Sequence, residues 1–161
     1  MRRQAKRQKG FSLIEMLTVI GIMVVLVSIG TPNYINYRQK AAIDADAQKV
    51  VAALREAISR ARSGTEGARW AFYVDEANDW FAVRQGPTVD PQTYISRTQL
   101  DSLVQFDQDI TENTNNYWFH QSPNLTIATS TMVIGLTTQN GGFTDTITMD
   151  TLGRITRESN Y

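Results

Sequence analysis

The sequence predicts an α+β fold: one long N-terminal helix, half membrane-spanning and half amphipathic, packed on an antiparallel β-sheet. Three observations predict it. An apolar run fills residues 11–29, apolar residues spaced by three and four continue from 33 to 63, and the rest of the chain breaks into short strand-like segments separated by turns. A helix followed by a run of strands is the α+β order.

The apolar run reads FSLIEMLTVIGIMVVLVSI from Phe11 to Ile29, nineteen residues in which Glu15 is the only ionisable side chain. As a helix it is about 28 Å long, close to the roughly 30 Å of bilayer hydrocarbon. Arg2, Arg3, Lys6, Arg7 and Lys9 precede it, a charge bias that holds the N-terminus on the cytoplasmic side and sends the remainder across. A conventional secretory signal has the same basic start, but its apolar core ends at small residues suited to cleavage. Here the run continues through Ser28, Ile29, Gly30, Thr31 and Pro32 into Tyr34, Ile35 and Tyr37. An uncleaved anchor is the stronger competitor.

Glu15 distinguishes this segment from a plain anchor. A carboxylate in hydrocarbon costs about 2.5–3.5 kcal/mol on insertion scales, so it calls for a partner or a function. If the chain began at Phe11, a new α-amino group would lie four residues from Glu15, and in an assembly the terminus of one subunit would neutralise the glutamate of a neighbour.

The string Gly10, Phe11, Ser12, Leu13, Ile14, Glu15, with a basic leader before it and an apolar helix after it, resembles the type IV prepilin signature. The resemblance implies cleavage after Gly10 by a membrane prepilin peptidase and N-methylation of Phe11. It also implies subunit docking through Glu15, and a helix kink at Pro32. The implied divisions are a leader over 1–10, a transmembrane and filament-core helix over 11–32, an amphipathic helix over 33–63 and a β-rich pilin head over 64–161. The implied partners are other pilin subunits, the peptidase, an inner-membrane assembly platform and, before assembly, the lipid bilayer. The location that follows is single-pass in the inner membrane with the globular part outside the cytoplasm, and then a pilus or pseudopilus filament.

After Pro32, one face of the second helical segment carries Tyr34, Tyr37, Ala41, Ala45, Val50, Val51, Leu54, Ala57, Ile58 and Ala61. The other face is charged with both signs. Gly64 and Gly67 follow as helix stops. Beyond them, residues 70–74 and 80–84 read as a hairpin around the turn at Asp75 to Asp79, and residues 131–138 and 143–149 as another around Gln139 to Gly142. Leu152, Gly153 and Arg154 turn into a last strand over Ile155 to Glu158, with further strands near Val104 to Ile110 and Tyr117 to His120. The arrangement is similar to the pilin fold, and the turn at Met149 to Arg154 resembles the end of minor-pilin and pseudopilin domains. Many pilins close a C-terminal loop with a disulfide; this chain contains no cysteine, which removes both that bridge and any thiolate metal site.

Sixteen basic residues balance sixteen acidic ones, but five of the basic residues lie ahead of Gly10, leaving eleven against sixteen in the processed chain. That acidic balance argues against a broad phosphate-neutralising face. The sole histidine, His120, has no evident partners, and no nucleophile motif, phosphate loop or zinc spacing accompanies it. No cofactor is expected. Asp107, Asp109 and Glu112 are weak calcium candidates without the glycine-centred loop of an EF-hand, and read better as a polar loop tip. Trp70, Trp80 and Trp118, with Tyr73, Tyr94 and Tyr117, are expected mostly in the core. The function expected is therefore structural and non-enzymatic: a subunit of a type IV pilus or of a type II secretion-like pseudopilus. The alternative is a membrane-anchored periplasmic or extracellular binding protein or enzyme that does not polymerise.

Overall fold

The computed structural model describes residues 10–64, 69–85, 93–108, 116–119 and 131–161, with the backbone alone at 93 and 116–118. The chain forms two compact units, Met1–Tyr37 and Arg38–Tyr161. Helix α1 covers Leu13–Ser63, with Pro32 inside it.

In the first unit α1 buries nothing: the large apolar residues from Phe11 to Tyr37 are all exposed. Four of its polar side chains are satisfied within the helix. Thr18, Ser28 and Thr31 donate their hydroxyls to the carbonyls of Ile14, Val24 and Val27 at 2.8, 2.7 and 2.7 Å, and the Asn33 amide reaches the carbonyl of Ile29 at 3.3 Å. Such back-bonding lets hydroxyls sit in an apolar medium without an outside partner. Pro32 brings no N–H for the carbonyl of Ser28.

In the second unit the helix becomes one-sided. Ile43, Ala47, Val50, Leu54, Ala57, Ile58 and Ala61 are buried at three-and-four spacing, and Gly64, at φ 61, ends the helix in the left-handed conformation that glycine adopts freely.

The strands are β1 (Trp70–Asp75), β2 (Trp80–Gln85), β3 (Thr93–Gln99), β4 (Val104–Phe106), β5 (Asn116–Phe119), β6 (Met132–Thr138), β7 (Thr144–Met149) and β8 (Ile155–Asn160). They form two four-stranded antiparallel sheets, in the orders β3-β2-β1-β5 and β4-β6-β7-β8, where the sequence pattern suggested a single sheet. The division follows from the hairpins. The hairpins β1–β2 and β6–β7 fall in different sheets, each flanked by further strands. The strand expected over 104–110 is described only as Val104–Phe106, and β3 was not expected at all.

One core joins the helix to both sheets. The α1 stripe packs in a single cluster with Trp70, Phe72, Val74, Phe81 and Val83 of the first sheet and Met132, Ile134, Leu136, Ile147 and Met149 of the second. Buried side chains of this size stabilise by about 1.5–3 kcal/mol each, so the shared stripe dominates cohesion.

Polar fastenings fix where the sheets sit on the helix. Asp46, fully buried on α1, accepts the backbone N–H of Asp101 at 2.6 Å and an ion pair from Lys49 at 2.7 Å. Asp79 adopts a positive φ of 52 at the β1–β2 turn, a conformation that a short polar side chain tolerates. Its carboxylate accepts the N–H of Phe106 at 3.0 Å and its carbonyl the N–H of Leu100 at 2.9 Å, tying the first sheet to β4 of the second. At the other edge, Arg157 of β8 makes a bidentate pair with the buried Asp145 of β7 and reaches Asp44 of α1 at 2.7 Å. These bonds hold the guanidinium's pKa above its ordinary range, the Asp145 carboxylate contributing most.

Removing Arg157 leaves Asp145 buried without its counter-charge. Arg157→Ala is expected to destabilise the head by about 3 kcal/mol, the low end for a broken buried pair, because the Arg157 side chain is itself 24% exposed. Urea denaturation of a chain spanning residues 33–161 measures it, and the parent is expected to unfold cooperatively.

Candidate functional site

The candidate site is the start of α1. Ser12 occupies the N-cap position, its carbonyl accepting the N–H groups of Glu15 at 3.1 Å and Met16 at 3.2 Å. Gly10 and Phe11 precede the helix and are exposed, Phe11 at 80%. The Gly10–Phe11 bond thus lies outside the helix. Glu15 stands in the first turn, where the helix dipole favours an acid by about 0.3–1 kcal/mol. That is too little to offset the roughly 2.5–3.5 kcal/mol of placing a carboxylate in hydrocarbon. Around it, α1 contains an 18-residue stretch of mean hydropathy 2.5, none of it buried.

The remaining candidates separate. Asp107 lies with Glu76 and Asp79 on a polar hollow of ≈ 540 Å³, whereas Asp109, Glu112 and His120 lie outside the described residues. No three His, Cys, Asp or Glu residues converge on a metal-sized site among the described residues.

Comparison with known proteins bears on the N-terminal segment and on the fold. The family model described as the prokaryotic N-terminal methylation motif matches residues 5–31. Over 37 residues the chain is 54% identical to the prepilin peptidase-dependent protein D of Escherichia coli K12, an overlap of 23% of this chain and 25% of that protein. The fold is similar to that of the minor pseudopilin EpsH from the Type 2 Secretion System of Vibrio cholerae, with a TM-score of 0.57 and 14% identity over 73% of this chain and 97% of that one. The motif and the fold agree. Residues 5–31 therefore carry the N-terminal methylation motif, on a chain whose fold is similar to that of a minor pseudopilin. The match to the curated relative spans only about a quarter of that protein's length, and the structural likeness speaks to the fold alone.

In the pseudopilin-like head the aromatic residues divide between two faces of the first sheet. Trp70 is buried in the core, with the Arg60 guanidinium 4.9 Å from its ring centre. Trp80 is only 7% exposed yet lies on the opposite face, 4.9 Å from Tyr73 and 5.4 Å from Tyr94 between ring centres. Arg97 stacks on Trp80 at 4.1 Å, and the buried Arg84 lies 5.7 Å from Tyr73 and 5.6 Å from Tyr94. The expectation of core packing therefore holds for Trp70; Trp80 is buried on the opposite face, and Tyr94 is 39% exposed. The side chains of Tyr117 and Trp118 lie outside the described residues.

Sequence reasoning missed Asp46, Arg157 and Arg84. The period-two alternation of Ile155, Arg157 and Ser159 was a usable sign, since it places Arg157 on the face of Ile155. Nothing marked Asp46 among the other charges of α1.

Burial, with Asp75 adding to it, raises the pKa of Tyr73 above the ordinary tyrosine value. The folded state therefore favours the neutral phenol, and this contribution to stability is complete below about pH 10 and lost as pH rises beyond it. Stability is expected to fall more steeply above about pH 10 in the parent than in Tyr73→Phe, as urea midpoints taken with rising pH will show.

Proposed function

We propose that this protein is a structural subunit of a type IV pilus or a type II secretion-like pseudopilus, with no chemistry of its own. A prepilin-type peptidase cuts it after Gly10 and Phe11 becomes the methylated N-terminus. An assembly platform in the inner membrane then draws its N-terminal helix into a filament with other pilin subunits. Before assembly the helix is a single span, with the head outside the cytoplasm. The observation that carries this reading is Glu15, an acid in the first turn of an otherwise apolar and wholly exposed helix, five residues after the glycine that closes a basic leader.

The reasoning is electrostatic. Between Phe11 and Tyr37 the chain offers Glu15 no basic side chain. Its partner in the membrane therefore comes from another molecule, and each processed subunit presents a free Phe11 amine at nearly the same depth.

Cleavage is expected to leave a chain whose mass corresponds to residues 11–161 with one added methyl group. Intact-mass measurement on membrane-extracted protein decides it, and a chain retaining residues 1–10 in cells with an active prepilin peptidase would contradict the assignment.

Glu15→Ala removes the charge while easing insertion. Leader cleavage and membrane abundance are expected to stay within about twofold of the parent, while incorporation into filaments falls roughly tenfold or more, a change of at least about 1.4 kcal/mol. Immunoblots of sheared filaments beside membrane fractions measure the contrast. Parental levels in filaments would mean that Glu15 is not the docking charge.

A further inference from the structure

We propose that the groove between the outer flank of α1 and strand β8 is a docking site for an acidic, extended segment of another protein, which adds to the second sheet as a fifth strand. Three features of the head combine to make it.

The first is an open edge. β8 pairs with β7 in unbroken register from Ile155 to Asn160, and among the described residues nothing pairs with its other side. An antiparallel edge strand turns alternate N–H and C=O groups outward, ready for another strand. The other edges are less suited: β4 has three residues and β5 four, and the pairing of β3 with β2 is interrupted by a bulge between Val83 and Arg84. β8 has six residues and contains no proline, lysine or bulge to discourage pairing.

The second is an apolar floor. Two hollows, of ≈ 400 and ≈ 490 Å³, meet at Arg55 beside this edge. Val51 and Ala52 of α1 and Ile155 of β8 line the first. Alternate side chains of an added strand would fall on them.

The third is charge. Arg55 and Arg62 rim the groove, both are exposed, and no carboxylate lines either hollow among the described residues. Arg62 donates to the carbonyl of Leu152 at 3.1 Å, which holds its guanidinium at the rim. Arg157 also lines the groove, but its charge is engaged by Asp44 and Asp145. Seven residues apart on the helix, Arg55 and Arg62 are about 10 Å apart along its axis. Carboxylates two and four residues apart on one face of an extended strand are about 7 and 13 Å apart, which brackets that distance.

These features choose the occupant. A phosphodiester would satisfy the arginines but cannot donate hydrogen bonds to the open carbonyls of β8, whereas a peptide strand does both. A second copy docked about a two-fold axis would set the basic rim against its own counterpart, so the partner is a different chain. Recognition is by strand addition with alternating side-chain specificity. Nothing in it depends on cleavage at Gly10.

The test uses the full chain in detergent micelles and a fluorescein-labelled hexapeptide of alternating Glu and Val, followed by anisotropy. The peptide is expected to bind and to protect β8 amides from hydrogen exchange. A Lys–Val hexapeptide, and a Glu–Val hexapeptide N-methylated on alternate residues, are each expected to bind at least tenfold more weakly. The double variant Arg55→Glu, Arg62→Glu, both on the exposed flank, is expected to keep the parental thermal midpoint and to lose at least tenfold in affinity. Absence of binding overturns the proposal, as does equal binding of the N-methylated peptide. Binding of a single-stranded thymidine hexanucleotide as tightly as the Glu–Val peptide, lost in the same double variant, would make the groove a phosphate site and would equally overturn it.

Discussion

One helix has to satisfy two different solvents, and most of the molecule's organisation follows from that constraint. Over residues 13–29 α1 is apolar on every side, and the hydroxyls of Thr18 and Ser28 turn back onto its own carbonyls, which leaves Glu15 as its one ionisable group. Over residues 43–61 the same helix narrows to a stripe, because there its apolar medium is the protein itself. A helix apolar all round could not have given the head a defined orientation on it, and a stripe alone could not have lain stably in lipid.

The stripe supplies cohesion but little direction, since apolar contact is tolerant of small rotations and slides. Direction comes from buried and half-buried charges. Asp46 fixes the β3–β4 connection, Asp79 joins the first sheet to the second, and Arg157 binds β8 to both β7 and α1. The C-terminal strand is fastened further by Lys40, whose ammonium lies 5.1 Å from the Phe143 ring centre and 5.9 Å from that of Tyr161. A cysteine-free chain thus secures its last strand by ionic and cation–π contacts. Such contacts depend on geometry, and therefore tolerate loss of one partner poorly.

How much of this was legible follows from which signals are local. Helix α1, the two tight hairpins and the terminal strand were readable, because apolar periodicity and turn residues such as Gly141 and Gly153, both at positive φ, act over a few positions. Strand β3 was not, since TYISRTQ is mostly polar and owes its place to pairing with β2 across a connection outside the strands. The separation into two sheets was equally hidden, because it depends on which hairpin recruits which strand. Of the N-terminal site, the residue types and their order were fully visible. The buried ion pairs were not, since an aspartate that will be buried looks the same in sequence as one that will be solvated.

The difference between cohesion and direction also bears on how a filament built from such helices could hold a single register. Apolar faces of α1 would pack almost as well after a slide of one helical turn, about 5.4 Å, because leucine, valine and isoleucine recur throughout the run. A charge cannot slide so cheaply. If Glu15 pairs with a neighbouring amine as proposed, a displacement of one turn would again make it a lone carboxylate in an apolar medium, at about 2.5–3.5 kcal/mol for each subunit, or a factor of roughly 70 to 400 in population. Spread over many subunits, that penalty leaves one register populated even though the charge adds little to the total affinity. A single acid in an otherwise uniform helix therefore serves better than several would, since further charges would burden insertion without sharpening the choice.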